Sequence, residues 1–325
     1  MRAVLCTRYG APDVLELSDA PAPEPGPDQV VVRVRASSVN PVDWHSIRGT
    51  PVLVRLTNGL TKPKQPGIGA DVAGIVEAIG SSVTSLRPGD EVFGMSIRTW
   101  AELVPIKAEA LVAKPANVSF EEAGTVGVAA LTALQGLRLH GRVGPGQRVL
   151  IGGAGGGVGH FAVQIAKALG AEVTAATSSG NVEWVGALGA DEVIDYTKSD
   201  PTADRARFDV IFDAGGWLGL AGEAQALKPG GIAINAGVGP SANMVGIIGG
   251  MVAAAVRSRI GDRRFVSYLA RRTPEDLETL RSMLAAGQIR PHIDRQYPLA
   301  EIREAVRYQE TGQARGKVAV SVAPD

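Results

Sequence analysis

The sequence predicts an α/β protein in two parts, a β-barrel of short strands followed by a doubly wound parallel sheet with helices on both faces. With 325 residues, the chain is too long for one ordinary compact domain. Its pattern also changes near residue 122, from short strands separated by turns to alternating strands and helices. We therefore predict a first domain over residues 1–121 and a second over residues 122–270.

The first part contains short β-type runs bounded by proline and glycine. Turn signals lie at Pro25–Pro27 and Pro88–Asp90. The predicted strands are Val30–Val34, Gly74–Ala78, Glu91–Phe93 and Leu103–Pro105. Short strands with dense turn chemistry are typical of a partly open β-barrel.

The second part alternates strands with helices, which indicates a parallel sheet because parallel neighbours need crossover connections. The predicted strands are Arg148–Ile151, Val173–Ala176, Val193–Ile194, Asp209–Asp213, Ile232–Asn235 and Phe265–Leu269. Two helices, Pro274–Ala286 and Ala300–Gln309, and a strand, Lys317–Val322, are predicted after them.

Composition excludes several classes of function. The formal net charge is zero, with 33 basic and 33 acidic residues, which disfavours nucleic acid as a partner. The one cysteine, Cys6, rules out a disulfide framework and fits the cytoplasm. The longest apolar run, Met244–Val256, is too short to span a bilayer and contains glycines, and the N-terminus lacks an apolar signal sequence, so we expect no membrane partner.

The strongest chemical signal is the glycine-rich stretch Gly152–Gly159, which lies between a predicted strand and an amphipathic helix. A pyrophosphate binds at a helix N-terminus, where unpaired N–H groups and the helix dipole favour an anion. A side chain at Gly156 would block that approach, and Gly159 lets the helix pack closely on the strand. The predicted contacts of the dinucleotide are Ala154, Gly155, Gly156, Gly157, Val158 and Gly159.

The end of the second strand of this unit favours NADPH over NADH. NADH-binding proteins usually carry an acidic residue there for the ribose hydroxyls. Residues Thr177–Asn181 contain no carboxylate, and their hydroxyl and amide groups suit a 2′-phosphate. The alternative is that these residues only form a turn, and the segment contains no arginine or lysine.

Motifs along the whole chain resemble those of the zinc-independent quinone oxidoreductases of the medium-chain dehydrogenase/reductase superfamily. The motifs that carry the resemblance are Asn40–Trp44, Gly69–Val76, Gly89–Val92, Leu131–Ala133, Ala154–Gly159, Leu188–Asp191, Asp195–Tyr196 and Gly316–Val318. The resemblance implies a GroES-like β-barrel catalytic domain, a Rossmann domain, and a C-terminal segment, residues 271–325, that returns to the barrel. It also implies a cleft for nicotinamide and substrate, and a homodimer in which Phe265–Leu269 is an edge strand.

The sequence departs from the zinc-dependent enzymes of this superfamily. Those enzymes carry a cysteine at the position of Asn40 and a histidine at the position of Ala70, and often a further four-cysteine lobe. Zinc requires three or four converging ligands, and the four histidines of this chain are isolated in the sequence. We therefore predict no metal, and reduction of an electrophilic acceptor rather than oxidation of an alcohol.

The resemblance also implies roles for individual residues. Asn40, Asp43 and Trp44 are expected near the nicotinamide, although Asp43 could equally cap a turn. Trp44 offers a flat wall to a ring. The further candidate cofactor contacts are Thr132, Ser178, Ser179, Asn181, Tyr196, Gly215, Gly237, Val238, Arg315 and Lys317. For Thr132, Tyr196, Arg315 and Lys317, a purely structural or solvent-exposed role is the alternative.

The sequence thus predicts an NADPH-dependent reductase that transfers a hydride to a quinone or an α,β-unsaturated carbonyl compound. Two alternatives stay open. An enoyl-thioester reductase would need a proton-donating tyrosine near the substrate, and the residues directly after Trp44 include none. A non-catalytic NADPH-binding sensor is compatible with the same glycine loop.

Overall fold

The computed structural model describes residues 1–237, 249, 253–259 and 261–322. It divides into two compact units. The first comprises Met1–Ala129, Arg272–Gly287 and Pro291–Asp325, and the second comprises Ala130–Arg271 and Gln288–Arg290. The first unit thus continues beyond the predicted boundary at residue 121, because the backbone N–H of Val128 donates to Asp71 Oδ1 (2.6 Å) and holds this segment against the strands.

The strands of the described residues are, in chain order, β1 (Arg2–Cys6), β2 (Leu15–Asp19), β3 (Gln29–Val39), β4 (Asp71–Ile79), β5 (Glu91–Met95), β6 (Leu103–Lys107), β7 (Leu111–Ala113), β8 (Arg148–Gly152), β9 (Glu172–Thr177), β10 (Glu192–Asp195), β11 (Phe208–Asp213), β12 (Leu227–Asn235), β13 (Arg264–Ser267), β14 (Ile293–Pro298) and β15 (Lys317–Ser321).

The helices of the described residues are α1 (Pro41–Arg48), α2 (Leu53–Asn58), α3 (Phe120–Ala123), α4 (Gly127–Gln135), α5 (Gly159–Ala168), α6 (Val182–Gly186), α7 (Leu220–Ala226), α8 (253–259), α9 (Pro274–Ala285) and α10 (Ile302–Glu310). A π-helical turn, Gly136–His140, continues α4. The sequence did not predict α2 or α4. α2 is short, and α4 is apolar on nearly every side, so its hydrophobic residues show no clear helical periodicity.

The sheet of the first unit has the order β14-β15-β3-β4-β5-β7, and β6 also pairs with β3. All of these pairs are antiparallel except β14 with β15. In β3, Val30, Val32 and Val34 are fully buried while Arg33 is exposed, so the strand packs one face on the core. Because β15 pairs with β3, the C-terminal segment belongs to this unit.

The second unit is a parallel sheet with the order β10-β9-β8-β11-β12-β13, which confirms the predicted doubly wound α/β class. Phe161, Phe208 and Phe212 are completely buried in it. Strand order reverses between β8 and β11, and ligands bind such sheets beside this reversal at the carboxyl ends of the strands. β13 is the last strand in this order. No helix among the described residues is long and apolar enough to cross a bilayer.

Candidate active site

The glycine loop of the second unit connects β8 to α5, as the sequence predicts. A Cβ on Gly159 would lie 2.8 Å from the Cα of Ala154, so the helix packs here too closely for any side chain. A Cβ on Gly156 would meet only the carbonyl oxygen of Gly153, at an ordinary 3.4 Å. The protein itself therefore does not require glycine at 156, and the open space beside it leaves room for a ligand to approach the loop.

The remaining loop residues differ in exposure. Ala154 and Gly155 are buried, whereas Gly157 and Val158 are half-exposed in front of α5. A Cβ on Gly155 would lie 2.7 Å from Asn181 Nδ2, which places the loop beside the end of β9. The loop and the predicted ribose-binding segment are therefore neighbours.

Asp213 organises the carboxyl end of β11. Its carboxylate accepts the backbone N–H groups of Gly215 (3.0 Å), Gly216 (2.8 Å) and Leu218 (2.9 Å). Burial raises the pKa of Asp213, although these three hydrogen bonds act in the opposite direction. The sequence analysis assigned this aspartate only to a strand, although an acidic residue two positions before a pair of glycines is a signal for such a turn.

Gly215 and Gly237 lie together at this edge. A Cβ on Gly237 would come within 2.9 Å of the backbone of Ala214, and Gly215 faces Gly153 of the glycine loop. The predicted contact Val238 lies outside the described residues. The structure thus brings Gly215 and Gly237 to the edge of the sheet where nucleotides bind.

A carboxylate that the sequence analysis missed lies beside the predicted ribose-binding segment, residues 177–181. Asp195 at the end of β10 is in register with Thr177 at the end of β9, and its Oδ2 accepts a hydrogen bond from Ser179 Oγ (2.7 Å). Hydrogen bonds from Ser179 and Thr197 hold the pKa of Asp195 far below its usual range. Lys198 Nζ lies 3.0 Å from the same carboxylate. Residues 177–181 contain no carboxylate, as the sequence analysis states, but the pairing of β9 with β10 brings the Asp195 carboxylate to them.

Two further candidates of this segment are engaged with the protein. Asn181 Nδ2 donates to Ser178 Oγ (3.1 Å), and Asn181 Oδ1 accepts from Trp184 Nε1 (2.9 Å). The side chain of Asn181 is thus held by its neighbours, and Ser178 and Ser179 provide the hydroxyl groups of the segment.

Tyr196 and Trp217 form an exposed aromatic pair at the same edge. Their ring centroids are 4.5 Å apart and the rings are inclined by 55°. Both rings remain over one-third exposed, so Tyr196 is not the buried ring that was its structural alternative. Trp217 follows the glycines capped by Asp213, and the sequence analysis did not select it.

Thr132 and Arg315 are the remaining candidate cofactor contacts. Thr132 lies on α4, and its carbonyl oxygen accepts a hydrogen bond from Tyr268 Oη. Arg315 lies in the first unit with an exposed side chain, and its backbone N–H donates to Asp294 Oδ2 (3.1 Å). Burial raises the pKa of the Cys6 thiol to about 11, which disfavours the reactive thiolate form.

In the first unit, Asn40, Asp43 and Trp44 occupy the first turn of α1. Pro41 begins the helix and Gly49, at φ +62°, ends it. The Oδ2 atom of Asp43 accepts the backbone N–H of Asn40 (2.7 Å), so Asp43 caps the helix. Burial raises the pKa of Asp43 to about 7, and nearby Asp71 acts in the same direction.

Asn40 belongs to a buried polar network centred on Asp71. Lys317 Nζ donates to Asn40 Oδ1 (2.5 Å) and to Asp71 Oδ2 (3.3 Å). Asn40 Nδ2 donates to Ser38 Oγ (3.2 Å) and to Asp71 Oδ2 (3.0 Å). Asp71 and Lys317 are at most 2% exposed. Lys317 is therefore not an exposed charge, and it binds Asn40 and Asp71 within the first unit.

Similarity to known proteins covers the whole chain. The Alcohol dehydrogenase GroES-like domain family matches residues 26–132, and the Zinc-binding dehydrogenase family matches residues 188–320. The 2-methylene-furan-3-one reductase of Solanum lycopersicum is 33% identical over 100% of this chain and 80% of its own length. The chloroplastic NADPH-dependent alkenal/one oxidoreductase of Arabidopsis thaliana is 31% identical with the same coverage. The quinone oxidoreductase structure from Coxiella burnetii has a TM-score of 0.86, 31% identity and 99% coverage of both chains.

The chain belongs to the medium-chain dehydrogenase/reductase superfamily. Within it, the chain falls among the quinone oxidoreductases, as its motifs indicate, and it is an oxidoreductase.

One matching family is named for zinc binding, but the described residues around Asn40 do not offer a set of zinc ligands. Asn40 and Ala70 stand at the positions of the cysteine and histidine ligands, and the Lys317 ammonium contacts Asn40. Among the residues that the structure describes, no cluster of three or more histidine, cysteine, aspartate or glutamate side chains could hold a metal. A divalent cation beside the ammonium would also be repelled by it.

Proposed function

We propose that this oxidoreductase uses NADPH to reduce a quinone or an α,β-unsaturated carbonyl compound, and that it does so without zinc. The observation that carries the proposal is the buried network of Lys317, Asn40 and Asp71, in which an ammonium lies beside the position of a zinc ligand. An ammonium is not a Lewis acid that could activate an alcohol for oxidation. An acceptor that is already electrophilic does not need that activation.

The glycine loop supports the choice of a dinucleotide. Gly156 leaves space in front of the N-terminus of α5, and Asp213 fixes the neighbouring turn. Relatives named as NADPH-dependent reductases support the phosphorylated cofactor. Ser178 and Ser179 are the groups that we expect to contact the 2′-phosphate.

When bound, NADPH supplies a hydride to the electrophilic carbon of the acceptor. The glycine loop holds the pyrophosphate through backbone N–H groups. In the first unit, Trp44 offers an apolar surface to a planar acceptor. The proton that completes the reduction comes from solvent, since the chain contributes mainly positioning and electrostatics.

The charge of the α1 network changes with pH. Below a pH of about 7 the Asp43 carboxyl is protonated, and above it the carboxylate adds a negative charge beside Asp71. The negative charge of the Asp43 carboxylate repels the negative charge that develops on the acceptor oxygen and so disfavours the reduction. We therefore expect turnover to fall as the pH rises through about 7.

An enoyl-thioester reductase is the main alternative enzyme. It would require a tyrosine near α1 that donates a proton to the substrate. Residues 45–49 provide none, and Tyr9, whose ring lies beside Gly49 at the end of α1, donates its hydroxyl to the carbonyl oxygen of Gly59 (2.6 Å). A non-catalytic NADPH-binding sensor would keep the glycine loop and lack turnover.

The deciding experiment measures initial rates of NADPH and NADH oxidation with a para-quinone and with a conjugated enone, using metal-stripped protein. Turnover that survives metal removal supports the proposal, and the ratio of the two rates selects the acceptor class. Tight NADPH binding without turnover of either acceptor would contradict it and would favour a thioester reductase or a sensor.

Two further expectations accompany the proposal. We expect a homodimer formed through β13, which light scattering would reveal. A reducing compartment such as the cytoplasm suits a chain whose single cysteine is buried and unreactive.

A further inference from the structure

A cavity of about 310 Å³ lies in the surface of the second unit, and its lining combines arginines with small and apolar residues. The residues that carry the argument are Arg205, Ala221, Ala224, Arg257, Arg263 and Phe265. Arg205 lies three residues before β11 and Arg263 lies directly before β13, so the cavity lies towards the amino ends of these strands. The proposed dinucleotide site lies at the carboxyl ends of the same parallel sheet. We call this second site the arginine cavity.

Small and apolar side chains form one wall of the arginine cavity. Ala221 and Ala224 are three residues apart on α7, so they share one side of that helix. Phe265 of β13 also lines the cavity and is 9% exposed. Pockets that bind small organic molecules enclose about 300–1,000 Å³ and combine such apolar walls with a few polar groups. The arginine cavity is therefore large enough for a small organic ligand.

The backbone beside Arg205 is fixed against the end of α7. Ala206 adopts a φ of +49°, a left-handed conformation that residues with a side chain rarely adopt. Its backbone N–H donates to the carbonyl oxygen of Gln225 (3.0 Å), and the backbone N–H of Arg207 donates to that of Ala226 (2.8 Å). These hydrogen bonds hold the turn in place, and Arg205 is thereby kept at the cavity.

The lining of the arginine cavity carries an excess of positive charge. It contains three arginines and one acidic residue, Asp262, which gives a net charge of +2. Arg263 Nη1 lies 3.3 Å from Asp262 Oδ1 and forms the ion pair expected between them. Within the part of the chain that the structure describes, the exposed side chains of Arg205 and Arg257 make no hydrogen bond or ion pair. Because like charges that line one cavity repel each other, an anion that enters it lowers this repulsion.

The chemistry of the lining identifies the class of anion. A guanidinium presents a planar fork of N–H donors that matches the oxygens of a phosphate. A phosphate monoester carries a charge of about −1.5 to −2 at neutral pH, which matches the net charge of the lining. The apolar wall on α7 and β13 suits the organic group of such an ester.

We propose that the arginine cavity binds a small organic phosphate, a phosphate monoester whose organic group packs against α7 and Phe265. This site goes beyond the proposed reductase function, because it lies at the opposite end of the strands from the residues that we expect to hold NADPH.

Calorimetry with phenyl phosphate tests the proposal. The protein is first saturated with NADPH, so that the phosphate-binding groups of the cofactor site are already occupied. Phenol and inorganic phosphate are titrated in parallel, as the ring without the charge and the charge without the ring. We expect saturable binding of phenyl phosphate that is at least about tenfold tighter than that of either comparison compound and that weakens at high salt.

Two variants separate the contribution of charge from that of shape. Arg205→Gln combined with Arg257→Gln removes the two unpaired charges and should weaken phenyl phosphate binding roughly tenfold. Ala221→Leu keeps the charge but fills part of the cavity, and it should weaken binding to a similar degree. The matched control is Arg259→Gln, which removes a charge of α8 that does not line the cavity and should leave binding unchanged. All four residues are exposed, so we expect an unchanged Tm in every variant.

Three results would overturn the proposal. The first is the absence of saturable phenyl phosphate binding. The second is an equal loss in Arg259→Gln or full retention in Ala221→Leu, since binding would then follow the overall surface charge rather than the cavity. The third is a dimer that dissociates in the double arginine variant while the unaltered protein binds no phenyl phosphate, which would assign the arginines to an interface between two copies of the chain. None of these results bears on turnover with NADPH, so they leave the proposed function to its own test.

Discussion

Replacement of Asp195 by asparagine tests the cofactor site most directly. Ser179 Oγ donates to the Asp195 carboxylate at 2.7 Å, and a hydroxyl has only one proton to donate. A 2′-phosphate that accepts this proton displaces the carboxylate. A hydrogen bond of similar length from Ser179 Oγ to a phosphate oxygen places that oxygen at most about 5.4 Å from Asp195 Oδ2, which is the sum of the two distances.

The expected size of the effect follows from Coulomb's law. At about 5 Å in a solvent-like dielectric, one negative charge and a phosphate dianion repel each other enough to lower the affinity roughly tenfold. Lys198, 3.0 Å from Asp195, offsets part of this repulsion. We therefore expect Asp195→Asn to raise the ratio of kcat/KM for NADPH to that for NADH about three- to tenfold.

The assay compares initial rates with the two cofactors at low and at high salt, since screening should reduce the effect. Asp191→Asn is the matched control. Asp191 is a carboxylate paired with Lys167 at 2.7 Å, and it precedes β10 at the opposite edge of the sheet. An unchanged or lowered NADPH/NADH ratio in Asp195→Asn would refute the reasoning, as would an equal rise in Asp191→Asn.

Three more predictions concern the two units separately. NADPH should change the fluorescence of the exposed Trp217, and Trp217→Phe should lose that component in a titration. Gly156→Ala should fold normally and bind NADPH at least tenfold more weakly by calorimetry, whereas Gly159→Ala should mainly lower the Tm, because its Cβ meets backbone. The pKa of Asp43 is raised on folding, so the native state loses stability as the pH rises from about 4 to about 7. Asp43→Asn should flatten that pH dependence in urea unfolding, and an unchanged profile would contradict it.

Local patterns predicted the second unit well. The segment that comprises β8, the glycine loop and α5 was predictable because each of its signals is local. A short apolar strand is followed by glycines and then by apolar residues that recur at spacings of three and four. β11 was similarly clear from its apolar run. The doubly wound sheet then followed, because alternating strands and helices leave few other arrangements.

The missed features depend on contacts between segments distant in sequence. Asp195 reaches Ser179 only because β10 and β9 pair in one particular register, which the sequence does not specify. Lys317 was predicted to contact the cofactor, with an exposed charge as the alternative, but β15 pairs with β3 and carries it into the core. α2 was not predicted because it is only six residues long.

The buried network also changes the role expected for Asn40. Its amide oxygen accepts from Lys317 and its amide nitrogen donates to Ser38 and Asp71, so both polar groups of the side chain are already bound. An incoming carbonyl would have to displace one of these buried hydrogen bonds and leave a buried polar group unpaired, which is costly. We therefore infer that Asn40 positions the start of α1 rather than binding the acceptor directly. In that case Trp44 remains to contact the acceptor, and selectivity in this unit rests on apolar shape together with the acceptor's own electrophilicity.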